Sequence, residues 1–144
     1  MKDFDFYVKE EAVKKVSPDY ELAKSLIDDS HERFKTAEKL DAKDFSKLVF
    51  ENVYDSLRDI LDAILAVRGF KSYSHEASIA FLKRGGIEES TILELDNFRH
   101  LRNSSKYYGK KISADSAAEI LRFYKKHANK FEALFKKMNS RAKK

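Results

Sequence analysis

Apolar residues recur at spacings of three and four along most of the chain, which is the pattern of amphipathic helices that bury one face. The longest run of this kind predicts a core helix that ends at Gly69 with a left-handed cap. Its stripe is wider than a simple seam, so we expect this helix to contact several neighbours at once. The apolar positions are Phe50, Val53, Leu57, Ile60, Ile64 and Val67, widened by Leu48, Leu61 and Leu65.

Capping residues divide the chain before the core helix. Ser17 and Pro18 predict the N-cap and first residue of a helix over 18–40, and Asp41 with Asp44 predicts the start of the core helix. Residues 4–15 predict a short N-terminal amphipathic helix. This part of the chain therefore supplies one long helix and one short helix.

Three further helices are predicted after the core helix. Ser74 opens a short one that ends at Gly85-Gly86, a second spans 88–108, and Ser113 opens the last. The last helix has an apolar stripe made of Ala117, Leu121, Tyr124, Ala128, Phe131, Phe135 and Met138. The predicted fold class is all-α: an up-and-down bundle of four main helices plus the short N-terminal helix.

Composition supports one helical domain over residues 1–144. The chain has a single proline, four glycines and 37% charged residues, which favours long helices over sheets. Cysteine is absent, which excludes disulfides, thiolate metal sites and cysteine nucleophiles. We expect a cytoplasmic protein without membrane contact, because no signal peptide or apolar segment of membrane-spanning length is present. The four histidines include no pair at helical ligand spacing, so we expect no metal and no cofactor.

The net charge of +5 is unevenly distributed. Residues 122–144 contain nine Lys/Arg and one acidic residue, whereas residues 1–121 have a net charge of −3. Segment 99–111 has five basic residues and no acidic one, so the two basic segments are a candidate anion-binding surface. The lysine-rich end can equally serve solubility, and residues 136–144 are a candidate for disorder.

Arg102 lies near the middle of a predicted apolar stripe, formed by Ile92, Leu95, Phe98 and Leu101. An arginine there must meet a carboxylate, cross a subunit interface or line a cleft that admits an anion. Its candidate carboxylate partners lie on the core helix. They are Glu51, Asp55, Asp59 and Asp62.

Three short segments resemble the HEPN family of small helical bundles. The first is Leu65-Ala66-Val67-Arg68-Gly69-Phe70-Lys71-Ser72-Tyr73-Ser74-His75-Glu76, and the others are Leu101-Arg102-Asn103 and Tyr107-Tyr108-Gly109. Their order agrees with the family layout, and the resemblance covers about residues 18–135.

The resemblance implies a homodimer whose two arginine motifs face one cleft and, in many members, metal-independent RNA cleavage. The family motif is an arginine, usually followed by a polar residue and then, a few residues on, by a histidine. Arg102 and Asn103 match it, whereas Tyr107 and Tyr108 occupy the histidine positions. Some members are toxins paired with a small nucleotidyltransferase that modifies a tyrosine near the motif, so both tyrosines are also candidates for modification.

The sequence thus predicts a protein that binds RNA or a nucleotide at a dimer cleft, with a ribonuclease toxin of a toxin–antitoxin pair as one interpretation. The alternative is a non-catalytic nucleotide- or partner-binding subunit associated with a nucleotidyltransferase. The candidate catalytic residues are Arg102, Asn103, Tyr107 and Tyr108, and the candidate binding residues are Arg99, Arg102, Ser105, Lys106, Lys110 and Lys111.

Overall fold

A computed structural model of the protein describes residues 1–142. It confirms an all-α helical bundle, with six α-helices in the described residues and one small two-stranded sheet. In chain order these are α1 (Phe4–Lys9), β1 (Val13–Lys15), α2 (Tyr20–Lys39), α3 (Ser46–Arg68), β2 (Phe70–Ser72), α4 (His75–Ala80), α5 (Glu89–Tyr108) and α6 (Ala114–Ala142), and a 3-10 helix (Phe81–Gly85) follows α4.

Helix α3 is the centre of the bundle, as its wide apolar face predicts. It packs along α2 and α6 and also touches α4, α5 and β2. The stripe residues from Phe50 to Ile64 are buried in the main core, and Val67 is buried in a smaller cluster against α2. Leu48, predicted to widen this face, is instead 51% exposed at the start of the helix. Gly69 ends α3 in the left-handed conformation with φ of 78°, which confirms the predicted cap.

The prediction of a helix over 4–15 is wrong in its second half. Helix α1 ends at Lys9, and residues 13–15 form β1, which pairs antiparallel with β2 directly after Gly69. Val13 is buried under this ribbon, and the backbone N–H of Val16 donates to the carbonyl of Gly69. Pairing with a distant segment thus outweighs the weak helical pattern of these residues.

Two helix starts also differ from their predictions. The N-cap of α2 is Asp19, whose side chain accepts the N–H of Leu22, so the helix starts after Pro18. Helix α3 begins at Ser46, because Asp41 instead closes a turn by accepting the N–H groups of Lys43 and Asp44. At α2 the carboxylate of Asp19 takes the capping role predicted for Ser17, and at α3 the predicted cap Asp41 stabilises the preceding turn.

The remaining helix caps lie at the residues that the sequence predicts. Ser74 caps α4 and Ser113 caps α6, and Gly86 and Gly109 adopt left-handed conformations after their helices. Of the segment predicted as a candidate for disorder, residues 136–142 continue α6 as a helix, and residues 143–144 lie outside the described residues.

The buried face of α6 is shifted from the predicted stripe. Ile120, Phe123 and Leu134 are buried in addition to the predicted Ala117, Ala128 and Phe131, whereas the other predicted positions are half-buried. The face is therefore broader than one seam, because α6 packs in the bundle between several neighbours.

Candidate functional site: an arginine cluster on α3, α4 and α5

Arg102 points from α5 towards α3 and meets a carboxylate there. Its Nη2 lies 3.4 Å from Asp55 Oδ1, and its guanidinium lies over the ring of Tyr54 at 5.3 Å. Of the partners considered from the sequence, Asp55 is the one that pairs with Arg102. Asp59 pairs with Arg33 instead.

This ion pair leaves Arg102 incompletely satisfied. The side chain of Arg102 is only 15% exposed, and neither its Nε nor Asp55 Oδ1 has a hydrogen-bond partner among the described residues. Asp55 also lies 3.8 Å from Arg33, so its charge is shared between two arginines. A guanidinium whose only carboxylate partner is distant and shared is attracted to a further anion, such as a phosphate.

Arg99 occupies the preceding turn of α5 and is held more firmly. Its Nε donates to Asp96 at 2.6 Å, and its Nη2 lies 3.6 Å from Glu76, whose other oxygen accepts the hydroxyl of Tyr7 at 2.7 Å. The Asp96 hydrogen bond and the two carboxylate charges raise the pKa of Arg99, although its burial opposes this. Arg99 therefore contributes a fixed positive charge more than a free hydrogen-bond donor.

Two side chains that the sequence did not single out as site residues lie between these arginines. Tyr54 of α3 and His75 at the start of α4 approach each other, with the Tyr54 hydroxyl 3.5 Å from His75 Nδ1. Arg58 lies one turn after Tyr54 and, with both of them, lines a cavity of about 10 Å³, room for at most one water. A larger ligand must therefore bind at the outer side of this group.

The electrostatics of His75 show how many positive charges converge there. Burial, followed by the positive charges of Arg58, Arg102, Arg99 and Lys106, lowers the pKa of His75 to about 4. Burial also raises the pKa of Tyr54 to about 12, so both groups are uncharged at neutral pH. We call Arg58, Arg99 and Arg102, together with Tyr54 and His75, the arginine cluster.

The other candidate site residues lie away from this cluster. Tyr107 and Tyr108 are 67% and 85% exposed, and no hydrogen bond or ring contact joins either of them to Arg102 in the described part of the chain. At about 100° per residue, both tyrosines project well away from the face that carries Arg102. The structure therefore separates the tyrosines from the arginine within one protomer.

The remaining polar candidates surround the C-terminal end of α5. Asn103 and Ser105 are half-buried, Lys106 is exposed beside the ring of Tyr107, and Lys110 and Lys111 lie in the exposed segment after Gly109. These lysines extend the positive charge of the cluster along the surface. Their arrangement suits contacts with several phosphates of one strand.

The second basic segment does not continue this surface directly. Arg122 and Lys126 of α6 line a groove of about 400 Å³ together with Glu94 and Asn97 of α5. Two acidic residues, Glu94 and Glu119, thus lie among these basic ones. Within residues 1–142, no three His, Asp or Glu side chains are placed to share a metal ion.

No protein-family model matches this chain, and no curated protein matches it. The interpretation of the site therefore depends on its geometry and on the resemblance of short motifs. None of the helices in residues 1–142 is long and apolar enough to cross a membrane.

Tyr54 and His75 could have been found from sequence signals. Tyr54 falls in the apolar stripe of α3, where a buried hydroxyl needs a polar partner. His75 follows the capping Ser74 directly, a position at which a side chain lies at the rim of the helix N-terminus. Neither signal indicates that the two residues meet Arg102.

Proposed function

We propose that the protein binds RNA or a nucleotide at the arginine cluster, in a cleft that two protomers share. The observation that carries this proposal is the incomplete pairing of Arg102, whose partner Asp55 lies 3.4 Å away and is shared with Arg33, close to three further basic side chains around His75. A phosphate at the outer side of the cluster would give Arg102 and its basic neighbours a second anion. The resemblance to HEPN domains supports the shared cleft.

Metal-independent RNA cleavage is the activity that the resemblance to HEPN domains implies for this cluster. Cleavage through the 2′-hydroxyl needs a group that removes the proton and a group that protonates the leaving oxygen, while an arginine stabilises the developing charge. Tyr107 and Tyr108 are poor acid–base groups near neutral pH. His75 is the imidazole that lies in the cluster, and a bound phosphate would raise its pKa towards the useful range.

A second candidate function is that of a non-catalytic subunit for a nucleotidyltransferase. The observation that favours it is the exposure of the Tyr108 hydroxyl at the end of α5, where a partner enzyme can reach it. In this form the arginine cluster still binds a nucleotide. RNA binding without cleavage would favour this candidate.

The binding proposal is tested by Arg102→Ala and Arg58→Ala, with single-stranded RNA titrated at about 50 mM salt, where phosphate contacts are strongest. We expect each variant to lose about tenfold or more in affinity. Arg68→Ala is the matched control, because Arg68 is exposed on the same helix α3 and forms no ion pair within the described residues. It should bind as the parent does.

Thermal melts of the same variants separate binding from folding. Arg102→Ala should cost about 1–2 kcal/mol of stability, because Asp55 keeps Arg33 as a partner. If folded Arg102→Ala binds RNA as tightly as the parent, Arg102 is a structural residue and the proposal is wrong. Cleavage is measured alongside in the presence of a chelator, with His75→Asn and the parent compared.

A further inference from the structure

A second groove has a lining unlike that of the arginine cluster. It measures about 440 Å³ and lies between the start of α2, the second half of α3 and the β1–β2 ribbon. Its walls are mostly apolar side chains, namely Val16, Leu22, Leu26, Leu65, Ala66 and Phe70. A volume of this size is within the range of small-molecule sites.

The apolar wall is open to solvent. Leu22 is 49% exposed and Val16 is 39% exposed, so both could lose a large apolar surface to a bound molecule. At roughly 25 cal/mol per Å² of apolar surface, covering such side chains favours binding of a ligand with an apolar body. Burial of this wall would therefore contribute favourably to the free energy of ligand binding.

Asp62 supplies the one carboxylate of α3 in this lining. Its side chain is about two-thirds buried, accepts no hydrogen bond from the described residues, and lies 3.8 Å from Arg58 Nε, beyond hydrogen-bond distance. Burial raises the pKa of Asp62 to about 6, with Arg58 lowering it and Asp59 raising it. Because Arg58 lies beyond hydrogen-bond distance, it compensates this carboxylate only in part, and an ammonium group in the groove would supply the missing hydrogen bond.

The other charged groups of the lining also favour a cationic ligand. Asp19, at the N-cap of α2, adds a second negative charge, although one of its oxygens accepts the N–H of Leu22. Lys71 is the cation at the rim, and its Nζ lies over the ring of Tyr73 at 5.5 Å. We propose that this groove binds a small organic cation with an apolar body, an alkyl or aryl amine, with its ammonium group at Asp62.

Phenethylamine is a suitable probe, and 2-phenylethanol is its uncharged counterpart. At about pH 7.5, where Asp62 is ionised, we expect phenethylamine to bind and to shift the NMR signals of the Leu22 and Leu26 methyl groups. Asp62→Asn should weaken the amine by about tenfold and leave the alcohol unchanged. Leu22→Ser should weaken both probes, because it removes part of the apolar wall.

The control variant Asp28→Asn, on the exposed face of α2, should bind the amine as the parent does. The proposal is overturned if phenethylamine does not bind, if Asp62→Asn binds it as tightly as the parent, or if the alcohol binds the parent equally well. Arg102→Ala should retain amine binding. The proposal for this groove and the proposal for the arginine cluster are therefore tested independently.

Discussion

At the scale of single residues, His75 and Asp62 make stability depend on pH in opposite directions. The pKa of His75 falls from 6.5 to about 4 on folding, so the unfolded chain binds more protons between these values and stability is lost as the pH falls through them. The pKa of Asp62 rises from 3.8 to about 6, so the folded chain binds more protons and stability is gained as the pH falls below 6.

Asp62→Asn should therefore stabilise the protein at about pH 7.5, because it removes a half-buried charge that folding disfavours. The gain in Tm should shrink at about pH 5, where the parent carboxyl is already largely protonated. Thermal melts at both pH values, with Asp28→Asn as the surface control, measure this. A lower Tm at the higher pH would mean that attraction to Arg58 outweighs the cost of burial.

Residue-scale sequence reasoning found Arg102 and its class of partner, but it missed the surroundings of the pair. The spacing on α5 placed Arg102 on a buried stripe, and α3 offered a carboxylate at Asp55. The contact of Tyr54 with His75 depends on how α4 packs against α3, which periodicity within one helix does not contain. The pattern within one helix therefore cannot predict which side chains of three different elements come into contact.

At the scale of elements, the helices were largely predictable and the ribbon β1–β2 was not. Helices α2, α3, α5 and α6 are long and periodic, so their existence follows from local pattern. The ribbon pairs Val13 with Ser72, two segments far apart in the chain, and each strand has only three residues. Strands this short contain too few residues for an alternating apolar pattern to be recognised in the sequence.

Gly69 joins α3 to this ribbon, which makes Gly69→Ala a test of the junction. A Cβ there would lie 2.8 Å from the carbonyl oxygen of Val16, in addition to the cost of a φ of +78°. We expect a loss of about 2–4 kcal/mol in the free energy of unfolding, measured by denaturant titration.

Gly109→Ala is the matched control for this substitution. Gly109 has a similar φ of +69°, but a Cβ there would meet nothing within 4 Å. The loss in the free energy of unfolding should be about 1 kcal/mol, because only the left-handed backbone conformation disfavours alanine there. Equal losses in the two variants would show that close packing of α3 against the residues after β1 contributes nothing.

At the scale of the whole molecule, the arginine cluster is expected to be shared between two protomers. The expectation follows from the resemblance to HEPN domains, since the exposed apolar residues Leu93, Tyr107 and Tyr108 lie on other faces of α5 than Arg99 and Arg102. Light scattering at micromolar concentration should give about twice the mass of 16.7 kDa. A persistent monomer would contradict the shared cleft.

The most direct test of phosphate binding at the arginine cluster is an NMR titration of the histidines with and without a short single-stranded RNA. We expect His75 to titrate near a pKa of about 4 in the free protein and to move upwards when RNA is bound, because the phosphate charge offsets the arginines. RNA binding that leaves the pKa of His75 unchanged, or no RNA binding at all, would contradict the account.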